Sequence, residues 1–232
     1  MIISASSRER ATAVNARLLS MTSFFEKAVR FMAIAVLAFE MPVPIYWLTL
    51  HGWVSFWRRH IRAAFPVVVL AAWGIVDGLL YRFRQELFRP HRMSWLAPVG
   101  MALIAFDVFT FATSEAVLGG RRIVGHSELA DSRELIARGL YAHVRHPRYL
   151  GMMSGVFGAW LIVGGPIIGT TLWAPSMVWL VLVLLMIRAE ERELHTRLGS
   201  AYAAYAERVP ALLPFRLPSR MRHSSSPREH RP

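Results

Sequence analysis

The chain has 232 residues, of which 54% are hydrophobic, and a formal net charge of +12 at pH 7. This length suits one ordinary domain or a small membrane bundle, and the mean hydropathy of +0.36 is high for a soluble protein. The absence of cysteine excludes disulfides, thiolate metal sites and cysteine nucleophiles. Basic charge combined with this much apolar sequence favours a membrane protein with basic interfaces over a nucleic-acid-binding protein.

The N-terminal part predicts an irregular start followed by a first membrane segment. Residues 1–30 carry several arginines but lack the compact apolar run and cleavage site of a signal peptide, so we expect a flexible or interfacial segment. Residues 31–50 are apolar and long enough to span a hydrocarbon core of about 30 Å. Glu40, Pro42 and Pro44 interrupt this segment, which predicts a kink.

Two more apolar segments follow, at residues 63–80 and 94–118. A short basic loop is expected around residues 58–62, and a second basic loop, residues 81–93, separates the two segments. Both segments have the length of a membrane span. Residues 31–118 are therefore predicted to form three N-terminal transmembrane helices.

Two acidic residues lie inside these apolar segments, Glu40 in the first and Asp107 in the third. Acidic side chains at membrane depth are rare and often functional. They could line an internal pocket or form an ion pair between helices. The plainer alternative is that each lies near an interface or pairs with an arginine, and the sequence leaves both readings open.

The longest uncharged stretch of the chain, residues 149–187, follows a polar connection at residues 119–148. A single helix of that length would reach roughly 58 Å, about twice the apolar thickness of a bilayer. A break is therefore required, and glycines and prolines near residues 164–175 mark its place. We predict a fourth helix near 150–164 and a fifth near 174–188.

Small residues recur along the fourth predicted helix at Gly151, Ser154, Gly155 and Gly158. Their spacing allows two helices to approach closely. We assign packing to the later glycines and keep Gly151 as a candidate for a binding site.

Beyond this hairpin the pattern becomes amphipathic. In residues 188–208 the apolar and aromatic positions fall at i, i+4, i+8 and i+11, which predicts a helix continuing past the membrane. Residues 216–232 form a basic tail that we expect to be disordered and able to contact anionic lipid. The predicted fold is all-α, a polytopic transmembrane bundle of about five membrane helices. The uncharged turn between the last two suits the outside, which places the 119–148 connection in the cytoplasm. Five spans would then put the basic loop at residues 81–93 outside, so either this loop is an exception or one early segment is re-entrant.

The polar residues before the uncharged run could form a site. Arg145 is a fixed cation with a planar donor fork, and His146 can donate, accept or carry a proton near neutral pH. Pro147 biases His146 away from helix, so we expect its backbone groups to be free for a ligand. Tyr149 offers a ring and a hydroxyl at the start of the next helix.

An acidic pair, Glu190 and Glu191, stands at the other end of the predicted hairpin and offers acceptors for ribose hydroxyls or an ammonium group. The two ends together suit a charged cofactor at the membrane interface beside a lipid-like substrate. They also suit a purely structural set of Arg–Glu pairs. No close histidine spacing supports a metal site.

Ordered motifs in the second half of the chain carry a family resemblance. They are Gly139-x-Tyr141-x-x-x-Arg145-His146-Pro147-x-Tyr149-x-Gly151, then Glu190-Glu191, then Leu198-Gly199-x-x-Tyr202-x-x-Tyr205, then Val209-Pro210-x-Leu212-x-Pro214. The pattern resembles the isoprenylcysteine carboxyl methyltransferase family, which is grouped with membrane phospholipid and thiol methyltransferases. It covers roughly residues 95–215, and Leu140 departs from the proline that the family often has.

The resemblance implies S-adenosylmethionine as methyl donor and residues 119–215 as the methyltransferase core. It implies a cofactor pocket lined by Tyr141, Arg145, His146, Pro147, Tyr149, Gly151, Glu190, Glu191, Tyr202 and Tyr205. The candidate catalytic residues are Arg145, His146, Glu190 and Arg188.

The implied reaction is direct methyl transfer to a lipophilic acceptor, in which the protein mainly positions the reactants. A carboxylate acceptor needs no base, and Arg145 or Arg188 could orient it. An amine or thiol acceptor needs a base, for which His146 and Glu190 are the candidates.

We expect an enzyme of a bacterial inner membrane with its site facing the cytoplasm, in contact with membrane lipid and without nucleic acid. The sequence leaves the oligomeric state open. Two alternatives remain, an NADPH-dependent membrane reductase of the steroid-reductase type and a membrane scaffold without activity.

Overall fold

The computed structural model describes residues 3–87, 96–119, 125, 129, 133–164 and 170–213. All regular secondary structure in these ranges is helical, which confirms the all-α prediction. The helices are α1 (Ile3–Glu40), α2 (Val43–Gly52), α3 (Val54–Arg82), α4 (Arg84–Leu87), α5 (Ala97–Leu118), α6 (Pro147–Gly164), α7 (Thr170–Leu198) and α8 (Ser200–Arg208), with a 3₁₀ turn at Gly139–Ala142 before α6.

The predicted kink in the first segment is a break between α1 and α2. Helix α1 ends at Glu40, and Pro42 stands directly before α2. Proline lacks the backbone N–H that would continue the helix, and its ring clashes with the preceding turn. The predicted basic loop around residues 58–62 is wrong, because these residues lie inside α3. Only His60 departs from helical backbone angles, with φ −124° and ψ 15°.

Three segments of the described chain are helical, long and apolar enough to cross a membrane: Met21–Gly52, Val54–Arg82 and Ala97–Leu118. Large apolar side chains such as Val67 and Leu70 point outward from α3. Outward apolar surface of this extent fits a helix that faces lipid. The chain is thus an integral membrane protein, while the count of five spans stays a prediction.

Among the described helices, α5 and α6 have the most extensive contact, and α6 also packs on α1. A Cβ added at Gly158 would lie 2.5 Å from the carbonyl oxygen of Gly100, and one added at Gly155 would lie 2.3 Å from Oδ2 of Asp107. The predicted packing role of these glycines matches this geometry. Gly151 packs in the same way, because a Cβ there would meet Oγ1 of Thr110 at 1.7 Å.

The predicted single helix over residues 188–208 is interrupted. Helix α7 runs through the acidic pair and ends at Leu198, and Gly199 has φ +56°, a left-handed conformation that favours glycine. Helix α8 then begins at Ser200 and packs on α7. This turn brings Tyr205 against the 3₁₀ turn, where its hydroxyl donates to the carbonyl of Tyr141, and packs Tyr202 edge-on against the ring of His195 on α7.

Candidate active site

A cavity of about 290 Å³ lies between the N-terminal helices and the start of α6. One wall is apolar and comes from α1, α2 and α3: Phe39, Val43, Tyr46, Trp47, Phe65, Val69 and Trp73. The rest of the lining, which we call the charged wall, contains most of the polar groups: Ser114, Glu115, Tyr141, Arg145, His146, Arg148, Tyr149 and Glu190. The cavity therefore joins a hydrophobic half and a charged half.

The apolar wall is a set of packed aromatic rings. The ring of Tyr46 meets that of Trp57 edge-on at 5.4 Å between centroids and that of Phe65 at 5.8 Å. Such edge-to-face contacts hold rings in place and add to the stabilisation from burial alone. The wall is thus a preformed surface, which suits an apolar chain better than a solvated group.

His146 is clamped between the acidic residues of α7. Its Nδ1 lies 3.4 Å from Oε2 of Glu190, and its Nε2 lies 3.2 Å from Oε1 of Glu191. The imidazole is buried and stacks on the ring of Tyr149 at 5.4 Å. A carboxylate at each ring nitrogen favours the doubly protonated imidazolium, in which both nitrogens donate.

The pKa values follow from this clamp. Burial by itself lowers the pKa of His146, but hydrogen bonds and charges from Glu190 and Glu191 outweigh it and raise the pKa to about 9. The bond from His146 lowers the pKa of Glu191 to about 2. Burial opposes ionisation of Glu190, yet the same histidine lowers its pKa to about 2 as well. At neutral pH all three groups are therefore charged.

Arg145 ties three parts of the chain together. Its Nε and Nη2 donate to Oε1 of Glu191 at 3.0 and 2.5 Å, and its Nη1 donates to the carbonyls of Ala206 and Val209 at 2.9 and 2.7 Å. Four of its donors are thus used inside the protein. Arg145 lines the cavity, but most of its bonding capacity fixes α7 and the end of α8 to the start of α6.

The prediction that the backbone of His146 is free for a ligand is wrong. Its N–H donates to the carbonyl of Ala211 at 2.9 Å, and its carbonyl accepts from the N–H of Leu150 at 3.1 Å. The N–H of Arg145 likewise donates to Pro210 at 2.8 Å. The extended segment after α8 lies along residues 145–146 and satisfies the groups that Pro147 leaves outside the helix.

Arg148 resolves the open question about the intramembrane acids. Its Nη1 donates to Oδ1 of Asp107 at 2.8 Å, and its Nη2 donates to Oε1 of Glu40 at 2.6 Å. The guanidinium also lies 4.8 Å from the ring centre of Phe111. The two acids thus pair with one arginine, and that arginine lines the cavity.

The structure brings some predicted site residues to the cavity and not others. Tyr141, Arg145, His146, Tyr149 and Glu190 line it. The remaining candidates lie elsewhere: Pro147 and Gly151 are buried at the start of α6, Glu191 stands behind His146, Tyr202 and Tyr205 are buried on α8, and Arg188 is exposed on α7. The hydroxyl of Tyr205 donates to the carbonyl of Tyr141 at 2.6 Å, so α8 supports the cavity wall indirectly.

Sequence reasoning missed Arg148 and the aromatic wall. Arg148 is the last charged residue before the uncharged run, and two unpaired acids in other apolar segments were a signal that an arginine should meet them. The aromatic wall had no comparable signal. Aromatic residues are common in membrane helices, and the sequence does not show which of them face inward.

The charge of His146 makes stability depend on alkaline pH. Because the folded state holds a proton on His146 up to about pH 9 while the unfolded chain loses it near 6.5, the stabilisation is complete below about 6.5 and disappears as pH rises through about 9. The free energy of unfolding should fall by on the order of 3 kcal/mol over this pH range, which thermal unfolding in detergent would measure. His146→Gln should lack this loss and exposed His143→Gln should retain it. A flat wild-type profile over this range would contradict the clamp.

The second half of the chain matches the model of a known protein family. Residues 95–200 match the model of the phospholipid methyltransferase family. The chain is 29% identical over 166 residues to the protein-S-isoprenylcysteine O-methyltransferase of Mus musculus, covering 69% of this chain and 54% of that protein. The Homo sapiens protein of the same name is 27% identical with the same coverage. The Xenopus laevis protein is 27% identical over 127 residues, covering 53% of this chain and 42% of that protein.

These matches confirm the family resemblance drawn from the motifs. The chain spans about half the length of the curated relatives it matches. No solved structure gives a significant match.

Proposed function

We propose that this integral membrane protein is an S-adenosylmethionine-dependent methyltransferase that methylates the carboxylate of a lipophilic acceptor. The observation that carries the proposal is the cavity, which joins an aromatic wall to the charged residues of the family motifs. The relatives that match are named protein-S-isoprenylcysteine O-methyltransferases, and this name supports an acceptor with an isoprenyl chain and a carboxylate.

The charged wall has a donor set that fits S-adenosylmethionine. That molecule supplies an electrophilic methyl group on a sulfonium, together with an ammonium and a ribose. Glu190 lines the cavity and is ionised at neutral pH, so it can hold a cationic group or accept from a hydroxyl. The rings of Tyr141 and Tyr149 lie on the same wall, and aromatic faces attract cations.

The state of His146 favours an acceptor that is already anionic. An imidazolium with a carboxylate at each nitrogen has no lone pair with which to take a proton. Glu190 is a weak base because its pKa is lowered to about 2. The two candidate bases are thus poorly suited to deprotonating an amine or a thiol. A carboxylate needs no base, and the task of the protein is to position it and exclude water.

The aromatic wall supplies the place for the apolar part of the acceptor. Tyr46, Trp47 and Phe65 come from α2 and α3, helices that run through the apolar spans of the protein. An acceptor dissolved in the bilayer could reach this wall without crossing water. We place the protein in a bacterial inner membrane with the charged wall toward the cytoplasm, where S-adenosylmethionine is made.

Glu190→Ala tests the donor site. We expect binding of S-adenosylmethionine, measured by calorimetry in detergent, to weaken by about 30-fold or more, since removal of a buried charge partner costs at least 2 kcal/mol. Glu207→Ala, at an exposed acidic position on α8, is the matched control and should bind as the wild type does. Unchanged affinity in Glu190→Ala would remove Glu190 from the donor site.

The same calorimetry separates the competing functions. Binding of NADPH without binding of S-adenosylmethionine would support the reductase alternative, and binding of neither would support a scaffold. The acceptor class follows from incubating the wild type and labelled methyl donor with an S-isoprenylated N-acetylcysteine, a long-chain fatty acid or phosphatidylethanolamine. We expect label in the carboxylates and none in the amine lipid.

A further inference from the structure

We propose that Arg148, held in place by Glu40 and Asp107, orients the carboxylate of the methyl acceptor. The inference rests on the carboxyl methyl transfer proposed above. It assigns a positive group of the cavity that the motifs do not include, Arg148, which stands between Pro147 and Tyr149. Two arginines, Arg145 and Arg148, line the cavity, and they differ in how many of their donors are already bonded.

Arg148 has donors to spare and Arg145 has few. A guanidinium carries five N–H groups, and Arg145 uses four of them on Glu191 and on two backbone carbonyls. Arg148 uses two, one to Asp107 and one to Glu40, among the residues that the structure describes. Its side chain is also more exposed, 21% against 13% for Arg145. The guanidinium that can still take an anion is therefore that of Arg148.

A second donor lies on the same wall. The hydroxyl of Ser114 is buried and has no hydrogen-bond partner in the described part of the chain, and Ser114 lines the cavity. A buried hydroxyl without a partner is costly, so a ligand that accepts from it gains a bond at little further expense. A carboxylate has two oxygens and can accept from Arg148 and Ser114 together.

The acids around Arg148 explain how this arginine can bind the acceptor carboxylate without making that carboxylate less reactive. As a carboxylate is methylated, its negative charge falls, so an unscreened arginine would stabilise the reactant more than the transition state. Glu40 and Asp107 share the guanidinium, and Glu115 on the same wall also interacts with its charge. Arg148 then orients the acceptor through directed hydrogen bonds while its net attraction stays weak.

This role predicts that removing the arginine and removing its acidic partner shift the KM for the acceptor in opposite directions. In Arg148→Gln, the KM for the S-isoprenylated N-acetylcysteine should rise about tenfold or more, while affinity for S-adenosylmethionine stays within about twofold. Arg148→Lys keeps the charge but loses the planar fork, so its KM for the acceptor should lie between those of the wild type and Arg148→Gln. In Glu40→Gln, a stronger cation should lower both KM and kcat. A purely structural ion pair gives no reason for KM to fall.

A binding assay supplies a readout independent of turnover. The carboxamide analogue of the same acceptor should bind the wild type less tightly than the carboxylate does. Arg148→Gln should remove this preference. Arg148→Gln leaves two acids unpaired and could for that reason fail to bind S-adenosylmethionine. The triple variant Glu40→Gln, Asp107→Asn, Arg148→Gln then allows the same test, because the two acids are neutralised with the arginine. Arg84→Gln, at an exposed arginine after α3, is the control.

The outcomes separate the two proposals. A wild type that binds S-adenosylmethionine but methylates no carboxylate overturns the proposed acceptor class. A wild type that methylates the carboxylate while Arg148→Gln keeps its KM and its preference over the carboxamide overturns the role of Arg148. A raised KM in Glu40→Gln overturns the screening role of the acid.

Discussion

Alanine at position 158 is expected to push α6 away from α5 and to lower the thermal unfolding midpoint of the protein. The added Cβ would lie 2.5 Å from the carbonyl oxygen of Gly100 and 2.9 Å from Cβ of Leu103. Neither neighbour is the end of a flexible side chain, so the two helices must separate. Overpacking of this kind costs about 1–3 kcal/mol, and membrane helices depend on such close approach for their association.

The displacement should also reach the candidate site. Helix α6 begins at Pro147, and Arg148 in its first turn bonds to Asp107 on α5. A shift between the two helices lengthens that bond, so we expect methyl transfer by Gly158→Ala to fall even where the variant is folded. Unfolding is followed in detergent by circular dichroism, and transfer by incorporation of labelled methyl groups.

Gly78→Ala is the matched control for this experiment. Gly78 lies in α3 with no atom within 4 Å of an added Cβ, so alanine fits without strain. Alanine is also the better helix former, by about 1 kcal/mol. The midpoint of Gly78→Ala should therefore equal or exceed that of the wild type. A Gly158→Ala protein as stable as Gly78→Ala would show that the two helices can separate at little cost.

Much of the fold was predictable because membrane helices are specified by local composition. Apolar length placed the spans, and Pro42 located the break between α1 and α2. The errors arose where length and charge were the only guides. The loop predicted at the basic residues 58–62 is part of α3, which begins at Val54, since a helix can extend past the bilayer with its polar end in water.

The candidate site was predictable in part for a different reason. The order of motifs identified His146 and Glu190, and the hairpin that joins them brings them together. What the sequence could not show is which groups are already bonded within the protein. The backbone of His146 was expected to be free, yet Ala211 occupies its N–H. Such pairing depends on the path of the chain after Gly199, which no local pattern determines.

The same limit applies to the acids at membrane depth. Glu40 and Asp107 stood out as unusual, but their common partner follows from the crossing of α1, α5 and α6. Charged groups in apolar surroundings require partners, so a basic residue near the two acids was predictable, although not which one. The position of Arg148 on the cavity wall, from which the proposed function of the three residues follows, depends on how the helices pack and is not visible in any local sequence pattern.

Arg145→Ala is expected to have the largest effect of any single substitution at the site. It removes four hydrogen bonds and leaves Glu191 without the cation to which it is joined by two of them. Loss of one partner from a largely buried ion pair costs roughly 3 kcal/mol, because the remaining charge stays away from water. The segment around residues 209–211 should open, which hydrogen exchange at the N–H groups of Arg145 and His146 would detect.

Affinity for the methyl donor should also fall in Arg145→Ala. Glu191 contacts His146 as well, and without Arg145 the Glu191 side chain can move away from that histidine. Arg145→Lys keeps the charge but cannot reach a carboxylate and two carbonyls with one ammonium, so it should recover part of the stability and little of the protection from exchange. Arg208→Ala is the control, because Arg208 is exposed and its Nε donates to the carbonyl of Ala204 in its own helix. If Arg145→Ala unfolds at the same temperature as Arg208→Ala, the fork of Arg145 does not hold the segment after α8.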